Sequence, residues 1–336
     1  MQFKPTRPAT FSHFDIQRRV VANKTLEGWR EAPHASVIVD LEMDAVLEMV
    51  RALKSDPDFA GVRVTLNSVM LKIIAEGLRA APEMNSHVAY NGTTAVGGVT
   101  RFEEVNIAVP FRSADGRMIT PVVRDIAHLP LRGVCAAMDD LKEKAANTPV
   151  DVLLREAGVG DSVRRLLRGD LRVLWRLWCN LAGPARLPKP SQEDRRRWRE
   201  TPPEKRVTPE NLVSATALVS NMGSVVRGMD AAFCLLDLIQ PATVAVGLGA
   251  VSRKPVARMA DGGESVVIRS ILPMTLVFDH RVMDLEQVIP FLETVQNRCL
   301  NPRLLLRDDV PPETDAAFAP AHPRGGSMTP AASSAS

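Results

Sequence analysis

Phe278-Asp279-His280-Arg281-Val282-Met283-Asp284 closes a run of β-forming residues that begins near Ser265. Read as a strand, the run ends by delivering His280 to a turn, with a carboxylate four residues further on. A histidine so placed suits a general base. A free thiol, with a pKa near ~8.5, is mostly protonated at neutral pH and needs such a base before it can attack. The spacing alone is a weak sign, because a strand-end histidine often only satisfies its turn.

Outward from this strand, helical periodicity marks 15–28, 43–54, 65–80, 130–146 and 286–300. β-Branched or alternating stretches mark 35–40, 104–111, 118–123, 213–220, 242–251 and 265–278. Helices interleaved with a largely β core predict a two-layer α/β sandwich, a mixed sheet covered by helices. Asn91-Gly92 and Asp115-Gly116 read as hairpin turns, and Asn67 as a helix N-cap. Gly247-Leu248-Gly249 is followed by no helix start, so a dinucleotide loop is not expected there.

Composition narrows the class. The 336 residues are 45% hydrophobic and 24% charged with a net charge of +3, which points to no nucleic-acid partner. Cys135, Cys179, Cys234 and Cys299 show no Cys-x-x-Cys spacing and read as thiols of a reducing compartment, neither metal ligands nor a disulfide framework. No signal peptide and no bilayer-length apolar run is visible, so the cytoplasm is the expected compartment. No metal is expected. His13, His87 and His128 have no partner identifiable from the sequence.

Several segments, in order, carry a resemblance. They are Arg18-Arg19-Val20-Val21-Ala22, Pro33-His34 with Val37-Ile38-Val39-Asp40, and Thr65-Leu66-Asn67-Ser68 with Ala81-Pro82-Glu83-Met84-Asn85. Val105-Asn106-Ile107-Ala108-Val109 with Ile119-Thr120-Pro121-Val122-Val123-Arg124-Asp125, then Ser220-Asn221-Met222-Gly223 and Asp279-His280-Arg281, complete the set. Over about 3–150 and 206–307 the chain resembles the catalytic domain of the 2-oxoacid dehydrogenase dihydrolipoyl acyltransferases, similar in fold to chloramphenicol acetyltransferase.

The resemblance implies roles. His280 is the general base, and Ser220 supplies a hydroxyl donor to the tetrahedral oxyanion. Asp284 supports the active-site loop, with Arg18 its candidate partner, and also reads as the N-cap of the last helix with Gln287 closing a capping box. Asn221 and Asp279 are supporting neighbours, and His34 reads as structural. Coenzyme A is the implied acyl donor, and the lipoyl group is needed only if another protein carries it. The implied active site lies between subunits, His and Ser from different chains, so a homotrimer is expected, with a larger cage as an open extension. A lipoyl-carrying or dehydrogenase partner is also open.

The chain departs from the family pattern in three ways. Leu285 stands where members usually carry glycine, Pro290 falls early in the last helix, and no lipoyl-bearing or peripheral-subunit-binding segment is expected upstream. The expected organisation is an acyltransferase domain in two parts, 1–149 and 206–307, an Arg/Trp-rich helical insert and linker at 150–205, and a Pro/Ala/Ser-rich disordered tail at 308–336. On a helix, Leu167, Leu171, Leu174 and Trp178 share one stripe flanked by Arg165, Arg168, Arg172 and Arg176. That stripe fits a membrane surface, a lipid-like substrate or a partner, and equally a helical pair packed on its own subunit or a neighbour. Pro188 to Arg206 reads as a polar linker. Three functions stand: an acyltransferase using coenzyme A, a catalytically degraded assembly scaffold, and a membrane-associated acyltransferase working through the insert.

Overall fold

The computed structural model describes residues 10, 12–167, 174–175, 178, 186–224, 236–260 and 263–306. A mixed seven-stranded sheet forms the centre. Its order is β1 (His34–Glu42), β11 (Gly263–Asp279), β9 (Val244–Leu248), β8 (Ala217–Asn221), β4 (Ile107–Ala108) and β7 (Val122–Val123), with β10 (Ser252–Ala260) also paired to β11. β1, β9 and β10 run antiparallel to β11, whereas β8 runs parallel to both β9 and β4. Two small hairpins flank it, β2 (Ser86–Asn91) with β3 (Val96–Arg101) and β5 (Phe111–Arg112) with β6 (Met118–Ile119). Both expected hairpin turns fall between these strands.

The strands' period of two decides which face is covered. Leu272, Met274, Leu276 and Phe278 of β11 point into the main core with Val244, Val246 and Leu248 of β9 and Ala217 and Val219 of β8. Four helices close over them: α2 (Asp44–Leu53), α3 (Leu66–Ala80), α4 (Leu131–Ala146) and α7 (Leu285–Leu300). α3 and α7 approach so closely at Gly77 that an added Cβ would lie 2.7 Å from the Phe291 ring. On the opposite face Val277 and Ala245 pack with Ala32 and Leu238 in a small second cluster. α1 (Ile16–Glu31) leads into this face. The α/β sandwich anticipated from periodicity is the observed fold.

Several local expectations change. The stretches 104–111 and 118–123 break into two-residue strands, because Pro110 and Pro121 interrupt the ladder and the Asp115-Gly116 turn folds back with Gly116 at φ 81°. Asn67 is not the N-cap of α3: Thr65 is, its hydroxyl accepting from Ser68 N–H at 3.1 Å. Gly247 and Leu248 lie within β9.

The expected linker at 188–206 contains a helix, α6 (Gln192–Glu200), after α5 (Val150–Leu167). Ser191 caps α6 by accepting from Asp194 N–H at 2.9 Å. Its Trp198 packs on a core of Ile119, Ala145, Val150, Leu153 and Val207, and the Arg206 guanidinium lies 3.6 Å above the indole. Arg168, Leu171, Arg172 and Arg176 of the anticipated stripe, and the tail 308–336, lie outside the described residues. Leu174, Trp175 and Trp178 are exposed, the two indoles stacked with centroids 4.9 Å apart. No described helix is long and apolar enough to cross a membrane.

Candidate active site

β11 runs buried to its end and then releases His280 into a turn closed by Val282 N–H on Asp279 C=O at 3.0 Å. Asp279 has no exposed surface. Its carboxylate accepts from Arg281 Nε at 3.0 and 3.2 Å, from Nη2 at 2.5 Å and from the Arg281 backbone N–H at 3.0 Å. This hydrogen bonding to Asp279 holds the Arg281 guanidinium pKa above its usual value despite partial burial. Arg281 Nη2 also donates to Gln240 Oε1 at 3.4 Å. The His280 backbone N–H donates to Pro33 C=O at 3.0 Å, tying the turn to the start of β1.

The His280 ring is half exposed, with Nδ1 3.2 Å from Asp284 Oδ1. Asp284 faces Nδ1 without reaching hydrogen-bond geometry, and a carboxylate there favours the tautomer with its proton on Nδ1 and its lone pair on Nε2. Asp284 has a second duty as the N-cap of α7: its backbone N–H donates to Gln287 Oε1 at 2.8 Å, and the capping box anticipated from the sequence is formed. The expected pairing of Asp284 with Arg18 is not formed within the described residues of one chain. Arg18 lies in the first turn of α1 with its backbone N–H on Asp15, and Asp284 faces His280, four residues earlier across the turn. Leu285 is the first residue of α7 and takes no positive φ, so the backbone here makes no demand that only glycine meets.

Ser220 is half-buried near the end of β8. Next to it Asn221 donates from Nδ2 to Asn67 Oδ1 at 3.1 Å, fixing the strand end against α3. Register sets Ser220 apart from His280. Ser220 lies opposite Gly247 on β9, which lies opposite Thr275 on β11, five residues before His280. Five residues at about 3.3 Å and two strand spacings of about 4.8 Å place the two residues roughly 19 Å apart. Within one chain they occupy opposite ends of the sheet.

Other candidates take structural places. His87 bonds Ala215 C=O through Nε2 at 2.7 Å and sits edge-on to Phe102, while His128 pairs with Asp125 at 2.6 Å. Sequence could not offer the partner of His87, because Ala215 lies 128 residues away, whereas Asp125, three residues before His128, was a local signal that the sequence reading missed. Cys135 and Cys299 are buried, and burial pushes both thiols up, Cys299 to about 12, so neither is a thiolate near neutral pH.

The chain matches the family model for the 2-oxoacid dehydrogenases acyltransferase (catalytic domain) over residues 9–152 and 192–307, well over half its length. It belongs to that family. The match leaves out 153–191 and resumes at the first residue of α6. Among curated relatives, the dihydrolipoyllysine-residue acetyltransferase component of the pyruvate dehydrogenase complex of Corynebacterium glutamicum is 22% identical over 284 residues. That alignment covers 84% of this chain and 32% of the relative, so the acyltransferase-family chain spans about a third of that protein's length. Among solved structures, the dihydrolipoamide acetyltransferase of Azotobacter vinelandii aligns with a TM-score of 0.62 at 19% identity, covering 91% of this chain and 100% of that one. The cubic core of the pyruvate dehydrogenase multienzyme complex gives a TM-score of 0.62 at 18% identity, covering 91% and 100%. At these identities the structures establish the shared acyltransferase fold.

Proposed function

We propose that the protein transfers an acyl group between coenzyme A and a thiol acceptor of the dihydrolipoamide kind, at a site completed by a neighbouring subunit. The observation that carries the reading is His280 at a strand end, half exposed, with Asp284 facing its Nδ1 at 3.2 Å. Nε2 takes the acceptor's S–H proton as the sulfur attacks the thioester carbonyl. The Ser220 hydroxyl donates to the resulting oxyanion. Collapse breaks the carbon–sulfur bond to coenzyme A, whose thiolate takes the proton back from His280. The Azotobacter vinelandii structure was determined to examine a serine, a histidine and an asparagine in catalysis, the last two four residues apart. His280 and Asp284 share that interval, with a carboxylate here in place of the amide.

The roughly 19 Å between His280 and Ser220 is too far for both to serve one carbonyl, which supports pairing His280 of one chain with Ser220 of another. A further feature supports an oligomer, with a trimer the proposed unit. The outer part of the β10–β11 hairpin exposes Met259 (78%), Val266 (71%) and Ile268 (49%). A two-stranded ribbon with bare aliphatic side chains is marginal in water and gains from cover.

The test is acetyl transfer from acetyl-coenzyme A to dihydrolipoamide. His280→Ala should lower turnover by about 10²–10⁴-fold, the usual worth of a positioned acid–base group. A wild type without turnover across several acyl donors and thiols would transfer support to the assembly-scaffold reading. The exposed Trp175 and Trp178 favour a second reading, attachment of the inserted segment to an anionic bilayer. Flotation with anionic vesicles, lost in Trp175→Ser/Trp178→Ser, would support it, and no flotation of the wild type would remove it.

A further inference from the structure

His34 lies beside the candidate base, opposite Asp279 in the β1–β11 register, and both of its ring nitrogens are engaged. Nδ1 is 2.7 Å from Ala32 C=O, and Nε2 is 3.1 Å from the Leu238 backbone N. A carbonyl only accepts and a backbone amide only donates. Nδ1 must therefore carry the proton and Nε2 must not, so the ring is neutral and in one tautomer. Trp29, from α1, lies flat on it with centroids 4.6 Å apart and planes 12° apart, and its Nε1–H donates to Asp237.

These bonds hold the segment 236–240 down on the outer face of the sheet. Leu238 is fully buried with Ala32, Ala245 and Val277, and α1 passes so close that a Cβ on Gly28 would clash with Leu238 C=O. Two residues on, Gln240 braces Arg281, which holds Asp279. From the other side, the residue before His34 supplies the carbonyl that receives the His280 N–H.

We propose that His34 is a positioning residue for His280: its neutral ring clamps Leu238, and through Gln240, Arg281 and Pro33 the clamp fixes the turn that aims the base. The clamp needs the neutral ring, because an N–H at Nε2 would face the Leu238 N–H with no acceptor between them. Among the described residues, the charged and titratable groups near it are Glu31 from α1, Asp237 from the clamped segment, Asp279, Arg281 and His280 from the end of β11, and Tyr90 of β2 beside Arg281. The clamp stands on its own geometry, while its effect on turnover rests on the acyltransferase reading.

The test uses two readouts on the full chain. Trp29 stacks on His34 and bonds Asp237, so its indole emission reports the clamp and should shift when the Leu238 acceptor is removed. That shift should appear in His34→Phe, be smaller in His34→Gln, which keeps an acceptor, and be absent in His280→Gln; a Trp29→Phe background identifies the responding indole. In kinetics, His34→Phe should lower kcat by about tenfold to a hundredfold with KM little changed, as a small misplacement of a base does. His34→Gln, which restores an acceptor, should recover part of it. Trp29 emission unchanged in a folded His34→Phe, or in His34→Gln should the phenylalanine variant not fold, overturns the clamp. Unchanged kcat in a folded His34→Phe, or in His34→Gln should the phenylalanine variant not fold, overturns the positioning role. Absence of turnover in the wild type overturns the acyltransferase reading and the positioning role with it, and the fluorescence arm still decides the clamp.

Discussion

Asp279 is a fully buried charge whose main partner, Arg281, is two residues away and largely covered, with a side chain 17% exposed. Removing one member of such a pair leaves the other uncompensated, at a cost of ~3–5 kcal/mol. Asp279→Asn should therefore lower the unfolding free energy measured by urea titration by an amount near the lower end of that range, with a lower midpoint, since Arg281 keeps some solvent. It should also reduce turnover through the displaced His280 turn. An unchanged midpoint would mean that the pair contributes little to holding the turn. At this scale the sequence was informative where the chemistry is local. The His280–Asp284 spacing and the Asp284–Gln287 capping box can be read directly, because both join residues only four and three apart, the first across the turn before α7 and the second within its first turn. The His34–Leu238 bond spans 204 residues and the Asn221–Asn67 bond 154, and no local rule reaches them. The Arg18–Asp284 pairing, not formed among the described residues of one chain, lies beyond local rules for the same reason: only the fold decides which carboxylate meets which cation.

The helices of the main core were legible because their apolar residues recur at the helical period over several turns, as in α3 and α7. Short strands around Pro110 and Pro121 were not, since two residues carry no period. α6 was taken for linker because nearly every residue is charged. Its place is fixed by one cap, Ser191, and one anchor, Trp198. α7 carries Pro290 at its sixth position, exposed, where the ring removes a backbone donor that would otherwise bond the carbonyl one turn back. Pro290→Ala should raise the melting temperature, with a gain of up to about 3 kcal/mol, the usual penalty of an interior proline. A lower melting temperature would mean that the proline's restriction of the unfolded chain outweighs the missing bond.

Across the whole molecule, the β10–β11 hairpin is pinned at its base by charge. Lys254 meets Asp40 at 2.9 Å, Arg269 meets Glu42 at 3.2 Å, and Arg258 also pairs with Glu42. Beyond these pairs it projects with its aliphatic side chains uncovered. If a neighbouring chain covers them, Met259→Glu/Val266→Glu should give a monomer by light scattering with an unchanged circular dichroism spectrum and no turnover. A fully active monomer would contradict the shared site. That arrangement is tested most directly by mixing subunits. His280→Ala and Ser220→Ala chains, each nearly inactive alone, are unfolded together, refolded and assayed. If His280 and Ser220 of different chains serve one carbonyl, random assembly pairs an intact histidine with an intact serine at about a quarter of the interfaces of a closed ring, and turnover should return to about that fraction of wild type. A mixture no more active than its two parents would show that the residues do not act across the interface, and would contradict the account.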